Sequence, residues 1–378
     1  MTTSIEEIND PVRLAELRPL WNRLLSETPG ATFFQSCEWL ECYWRHYGQG
    51  QRLRLLVVRD GQRPLGILPL VVRTESTRVG RVRVLTYPLH DWGTFYGPIG
   101  PDPAATLLAG LEHVRRTRRD WDVLDLRWVD QDGCDQGRTE RTMRQAGLRP
   151  CCQAWDRAAQ IEITGTWQDY WAGRDKKFRH NVDRCQRRLA EQGEVTLVRH
   201  RPLPESRGGG DPRWDLYDMC VAVAGRSWQG DASDGTTLSH PAVCDFLRDV
   251  HAAAARQGAV DLGLLMLAGR PVAFIYHYHY DGRFYGLRKG FDAEFSHLRA
   301  GLVLQYLVLQ DGARRGDRSY DLGVGYHDSK RHWQTGLATS YRFTHFPAAV
   351  VRAQLLRLNR WVRRKVCGQH DLACAGGA

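Results

Sequence analysis

The chain has 378 residues, 42% of them hydrophobic, and carries a formal net charge of +10. That length and apolar content suit two domains with separate cores and exclude a disordered or low-complexity chain. No run of eighteen apolar residues is present to span a membrane, and the start MTTSIEEINDPVRL lacks the basic head and apolar stretch of a signal peptide, so a cytosolic location is expected.

The basic residues are 48 Arg and only 5 Lys, concentrated at Arg115–Arg119, Lys176–Arg188 and Arg352–Lys365. Each cluster reads as a solvated face, and no nucleic-acid partner is expected. The ten cysteines show no Cys-x-x-Cys pair and no His at zinc-ligand spacing, so no metal is expected and they read as small apolar residues.

In chain order, Val12–Ser26 is an amphipathic helix. Ser36 caps a second helix, whose Trp39, Leu40, Tyr43 and Trp44 recur at helical spacing. Strands follow at Leu53–Val58 and Gly66–Val72, joined through Asp60-Gly61, and then at Val82–Thr86. The turn-rich segment from Tyr87 to Pro101 leads to a helix from Pro103 to Thr117, a strand at Val123–Trp128, a helix near Arg138–Gly147 and a strand at Ala158–Ile163. This alternation predicts a mixed α/β domain over residues 1–165.

A second α/β domain is expected over 166–349. Thr166 caps a short helix, and Asp175–Glu191 forms a long basic helix ended by Gln192-Gly193. After a strand at Glu194–Arg199, the glycine-rich loop Arg201–Arg213 leads to helices at Trp214–Ala224 and Pro241–Gln257. The β-branched and aromatic run Val272–Tyr280, the pair Asp281-Gly282 and the run Arg283–Lys289 together spell a hairpin. A loop from Gly290 to Ala300 follows, then a helix opened by Gly301 and a short strand, Tyr320–Gly323. The last segment, 350–378, reads as a basic amphipathic helix with a flexible tail. That helix either lies on an anionic membrane surface as a peripheral contact or packs on the second domain.

The chemistry-bearing groups crowd into Val324–Trp333 (VGYHDSKRHW) and the strands before it. His277 and His279 alternate with Tyr276, Tyr278 and Tyr280, so one face of the strand carries histidines and the other tyrosines, and one of the two is core. The histidines are either structural or line an acceptor pocket. Asp321 sits in a short apolar strand, where burial raises a carboxyl toward general-base duty; the alternative is a structural role bonded to loop N–H groups of Val324 to His327. Lys330 and Trp333, three apart, would present one face to the cleft, the alternative being that Trp333 is core. Arg226-Ser227-Trp228 opens a polar segment that suits one wall of an acceptor pocket, and His90, Asp91 and Tyr96 suit another.

These residues resemble a known family. Asp321, Gly323, Gly325, Lys330 and Trp333 (D-x-G-x-G-x(4)-K-x-x-W), with the strand, loop and Gly-opened helix before them, are similar to the CelD-like acetyltransferases of the GNAT superfamily, related to the Fem aminoacyl transferases. Upstream, Phe34-Gln35-Ser36 with Glu38-Trp39-Leu40, Gly66-Ile67-Leu68-Pro69-Leu70, and Lys176–Asn181 with Arg187-Arg188-Leu189 extend the likeness from about Ala31 to about Pro347. The resemblance implies tandem GNAT-like α/β domains, each a mixed, mostly antiparallel sheet flanked by helices.

It also implies an acyl-CoA co-substrate, acetyl-CoA first, held on Leu298, Arg299, Ala300 and Gly301 at a helix N-terminus. The segment Ser296–Gly301 has one glycine where the superfamily's R/Q-x-x-G-x-G/A loop has two small residues, and Arg299 adds a cation for phosphate. Main-chain N–H groups of Leu287, Arg288 and Lys289 would hold the oxyanion. Catalysis would fall to Asp321, with Tyr326 returning a proton to the CoA thiolate and His327 taking one from the nucleophile; Trp228, His277, His279, Lys330 and Trp333 would bind substrate. The function implied is N- or O-acyl transfer to a sugar, a polysaccharide precursor of the kind used in exopolysaccharide biosynthesis, or another small acceptor, by direct attack. A Fem-like transferase using aminoacyl-tRNA and a non-catalytic GNAT-fold binding protein are the alternatives.

Overall fold

A computed structural model describes residues 3–90, 92–227, 237–325 and 327–367. The chain forms two compact units, Met1–Ala158 with Ala338–Ala378, and Ala159–Leu337.

The first unit contains β1 (Thr3–Ile8), α1 (Leu14–Ser26), α2 (Cys37–Tyr47), β2 (Arg52–Asp60), β3 (Arg63–Thr77), β4 (Gly80–Thr86), α3 (Pro103–Arg116), β5 (Val123–Val129), α4 (Arg138–Gln145) and the start of β6 (Pro150–Glu162). Local chemistry sets the helix starts. Ser36 accepts from the Trp39 N–H at the head of α2, and Asp102 accepts from the Ala105 N–H at the head of α3, where Pro103 needs no donor. The strands β2 to β4 form an antiparallel meander, and α3 carries the chain over to β5, which runs parallel to β4.

The second unit contains α5 (Trp167–Ala172), α6 (Lys176–Glu191), β7 (Val195–His200), α7 (Trp214–Gly225), α8 (Cys244–Arg256), β8 (Val260–Leu267), β9 (Arg270–Tyr280), β10 (Arg283–Phe291), α9 (Ala300–Arg314), β11 (Ser319–Val324) and α10 (His327–Lys330). Its plan repeats that of the first. An antiparallel meander β8-β9-β10 is followed by a crossover helix, α9, and a strand parallel to β10, while β7 edges β8 as β1 edges β2. Asp281 and Gly282, both at positive φ (48° and 72°), make the hairpin turn between β9 and β10. The fold is thus mixed α/β, with mostly antiparallel sheets flanked by helices, built from two GNAT-like repeats.

Three strands were not foreseen, β1, β8 and β12 (Gly336–His345). From Ala338 the chain belongs to the first unit, where β12 lies antiparallel to β5. The terminal helix α11 (Val351–Cys367) follows it there: Ala353 and Leu356 pack on Val82, Val84 and Val123. A terminal helix on the second domain is therefore replaced by one on the first. A buried charge cluster ties these parts together. Asp125, fully buried, accepts hydrogen bonds from Arg127, Arg342 and Thr344, with Arg360 3.6 Å away.

Candidate active site

The second unit is where the chemistry-bearing segments meet. Helices α6 and α9 cover one face of its sheet, with Cys185, Leu189, Ile275, Val303, Leu304 and Val308 in one core. The histidine face of β9 turns toward this side and meets an ion network. Arg199 and Arg201 both grip the fully buried Asp261, and Arg201 also takes Asp317 through two hydrogen bonds. His277 Nδ1 lies 3.7 Å from Asp261 and His279 Nε2 3.8 Å from Asp317. Burial pushes both imidazole pKa values down, so they stay neutral near pH 7. The opposite face is also core, since Tyr276 and Tyr278 are buried and the Tyr276 hydroxyl pairs with His251 at 2.9 Å.

Where β10 and β11 separate, the geometry opens. The two strands pair in parallel only over Arg283–Tyr285 and Ser319–Asp321. In β10 the register with β9 shifts between Gly286 and Arg288, which leaves Leu287 as the extra residue of a bulge. A bulge bends the strand and re-aims its peptide groups. On the other side, β11 turns through Gly323 and Gly325, both at positive φ (76° and 70°). The backbones touch at the branch point: a Cβ on Gly286 would stand 2.7 Å from the Asp321 carbonyl oxygen, and one on Gly323 3.1 Å from that of Gly286.

Asp321 is buried at this branch, and its Oδ1 accepts the Gly323 N–H at 2.7 Å. The expected loop donors lay one step further along, at Val324 to His327. Lys330 closes the turn, donating from Nζ to the carbonyls of Gly323 and Val324 at 2.8 Å each. Burial, joined by the charge of Lys289 and opposed by that of Asp321, holds the Lys330 pKa down at about 8. Lys330 thus acts on main-chain groups of the β11 turn. Trp333 is buried in an aromatic core with Trp167, Tyr170, Phe178 and Phe284, and its carbonyl accepts from the Tyr170 hydroxyl at 2.6 Å. Tyr326 and Trp228 fall outside the described residues, as does the side chain of His327, whose backbone begins α10. Asp91 is also outside them, while His90 is exposed and Tyr96 buried in the first unit.

The Lys330 geometry predicts a pH signature. Because the amine's pKa falls from 10.5 unfolded to about 8 folded, the native state binds fewer protons between those values, and this group's contribution to stability rises with pH across that window. Lys330→Met is expected to remove that rise. Below pH 8 it leaves two carbonyls without their donor, at about 1–3 kcal/mol. Urea titrations of both proteins from pH 7 to 10 check this; parallel curves would show that Lys330 does not carry the effect.

Beyond β10, the short 3-10 turn Ala293–Leu298 leads into α9. Arg299 takes a left-handed conformation (φ 55°) as the N-cap, and no side chain caps this end of the helix. Leu298 and Ala300 are buried in the core and anchor the turn, whereas Ser296, His297 and Arg299 are exposed. Gly301 faces Phe291, with 3.3 Å between an added Cβ and the ring. An uncapped helix N-terminus flanked by an exposed arginine suits an anionic group. A parallel strand pair that parts at a bulge, joined by a crossover helix with an open N-terminus, is the arrangement in which α/β sheets bind ligands at the carboxyl ends of their strands.

Residues 176–334, which hold all of these elements, match the acetyltransferase (GNAT) domain family. Over these residues the second unit has a GNAT-like fold. The GNAT match begins at α6 and ends just after Trp333. Among solved structures, FemX aligns over 94% of this chain and 99% of its own at 12% identity, with a TM-score of 0.63. The C-terminal domain of a putative lysylphosphatidylglycerol synthetase from Agrobacterium fabrum aligns over 94% and 98% at 12% identity and TM-score 0.53. A conserved protein of unknown function from Bacteroides thetaiotaomicron covers 90% and 100% at 10% identity and TM-score 0.54. At these identities the likeness is one of fold, and it covers at least 90% of this chain in each case. No curated protein matches the sequence. Among the described residues, no group of three or more His, Cys, Asp or Glu is placed to hold a metal ion.

Sequence reasoning missed Gly286 and the buried pair Arg199–Asp261. The signals were present as a glycine inside a strand run and as an acid in the apolar stretch Val260–Leu267.

Proposed function

We propose that the chain is an acyl-CoA-dependent acyltransferase, with acetyl-CoA as donor and an amine or hydroxyl of a sugar, a polysaccharide precursor or another small molecule as acceptor. The observation that carries this reading is the branch between β10 and β11, with the uncapped N-terminus of α9 following β10 through the 3-10 turn Ala293–Leu298. The N–H groups opening α9, with Arg299, would bind the pyrophosphate. Main-chain N–H groups of the bulge, Leu287 to Lys289, would receive the thioester oxygen as it gains charge during attack. Asp321, buried at the branch, would take the proton from the attacking amine or hydroxyl, and the carbonyl carbon would pass from sulfur to nitrogen or oxygen as the thiolate leaves.

Calorimetry with acetyl-CoA and release of free CoA thiol test this. Gly301→Glu is expected to keep the fold, because an acid in the first turn favours the helix dipole, yet to weaken CoA binding at least about tenfold by repelling phosphate. Asp321→Asn is expected to lower turnover at least about tenfold with CoA affinity nearly intact. Wild-type CoA affinity in Gly301→Glu would move the donor site elsewhere. Unchanged turnover in Asp321→Asn would remove that residue from the chemistry.

A second reading, a Fem-like transfer of an aminoacyl group from tRNA, draws on the likeness of fold to FemX over 94% of the chain. Consumption of aminoacyl-tRNA with no CoA binding and no thiol release would favour it over the first.

A further inference from the structure

Among the described residues, nine large apolar side chains are exposed, and five of them lie on one helix: Val351, Leu355, Leu358, Trp361 and Val362 of α11, each between 42% and 73% exposed. Four of these form a stripe. At about 100° per residue, Val351, Leu355, Leu358 and Val362 fall within roughly 60° of one another, with Trp361 at the margin. The opposite side of α11 is fastened to the first unit. Ala353 and Leu356 sit in its core, and Arg360 turns inward to Thr344 at 3.1 Å and lies over the Phe346 ring. The helix is thus fixed with its apolar stripe pointing away from its own unit.

Charge decides what covers that stripe. The helix sequence VRAQLLRLNRWVRRKVC holds no acidic residue, and Arg352, Arg357, Arg363, Arg364 and Lys365 are all exposed. On the helical wheel Arg352 and Arg363 flank the stripe on one side and Arg357 lies beyond Trp361 on the other; Arg364 falls nearer the Ala353 side and reaches Cys151 Sγ at 3.8 Å, while Lys365 lies over the Trp361 ring at 4.7 Å. We propose that α11 docks this protein on an anionic phospholipid surface, with the Val351–Val362 stripe and Trp361 entering the headgroup boundary and the arginines pairing with lipid phosphates. A helix with an apolar face, a tryptophan and cationic flanks is built for that boundary. A second copy fits less well, because two faces of like charge would meet. A nucleic acid would leave the apolar stripe uncovered. Among the described residues no helix is long and apolar enough to cross a membrane, so the contact is peripheral. The docking does not depend on the donor or acceptor of the transfer reaction.

Co-sedimentation of the full chain with vesicles tests the proposal, using phosphatidylcholine alone or mixed with phosphatidylglycerol. Removing α11 is unsuitable, because Leu356 and Arg360 help hold the first unit together. The expected result is binding at least about tenfold stronger to the anionic vesicles, weakening as salt is raised. The double variant L355E/L358E, whose side chains are exposed, should lose that binding at least about tenfold with an unchanged melting temperature, and R352E/R363E should lose it with the apolar stripe intact. Equal binding to neutral and anionic vesicles, or no binding to either, would overturn the proposal. So would wild-type binding by both variants, or a concentration-dependent dimer abolished by L355E/L358E in a chain that ignores vesicles.

Discussion

Asp261→Ala is expected to destabilise the second unit by about 3–5 kcal/mol, the usual cost of breaking a buried ion pair by removing one partner. Asp261 is fully buried in β8 and receives both Arg199, whose side chain is 3% exposed, and Arg201. Without it two guanidinium groups face each other across the space the carboxylate filled. Arg201 would keep Asp317 at 2.7 Å, and Arg199 would keep Asp311 and the Val308 carbonyl. Those bonds cap the loss near this range. Chemical denaturation measures it, and a loss below about 1 kcal/mol, the level of an exposed pair, would show that the network is not desolvated.

The same carboxylate sets a pH dependence. Burial alone would raise its pKa, but the two arginines hold it well below the usual range; His277 Nδ1, at 3.7 Å, is too distant for a hydrogen bond and contributes little. A folded pKa below the unfolded value of about 3.9 means that the contribution is complete above that value and drains away as the pH falls below it. Acid unfolding of the wild type should therefore be steeper below pH 4 than that of Asp261→Asn.

Gly286→Val is expected to lower acyl transfer at least about a hundredfold while most of the stability remains. A Cβ at Gly286 meets the Asp321 carbonyl oxygen at 2.7 Å, a contact with backbone that no side-chain rotation relieves. The strands must shift apart by a substantial fraction of an ångström at the point where the bulge N–H groups and Asp321 converge. Misplacement on that scale costs about a hundredfold in other catalysts. The aliphatic core among Leu265, Ile275, Val303 and Leu304 lies away from this branch, while the aromatic core that holds Phe284 and Tyr320 borders it, so the protein should stay folded with a lowered melting temperature. Activity and thermal melts together decide the matter: full activity in a folded Gly286→Val protein would mean that the branch is not where the reaction occurs.

Local signals carried much of the fold. Helices α1, α3, α6 and α9 announce themselves by apolar spacing, α3 and α6 by their capping residues as well, and the β9–β10 hairpin by Asp281-Gly282, because these depend on neighbours a few residues away. The match of Lys176–Asn181, Gly301 and the Asp321–Trp333 run to one family was legible for the same reason. What could not be read was set by distant partners. Strand β1 is polar because Glu7 serves Arg54 and His113, and β12 carries Arg342 inward because Asp125 awaits it. Neither shows the alternation that marks a strand. Lys330 and Trp333 share a face by spacing, but whether that face meets ligand or core depends on Tyr170, Phe178 and the carbonyls of the β11 turn. The spacing of the histidines on β9 was plain in the chain; that both faces of the strand are buried follows from α9 on one side and α7 with α8 on the other. The branch between β10 and β11 leaves only scattered local marks, Gly286 inside a strand run and the pair Gly323 and Gly325. Its strands are separated in sequence by the whole of α9, and only their parallel pairing, halted by a bulge on one strand and a glycine turn on the other, creates the opening.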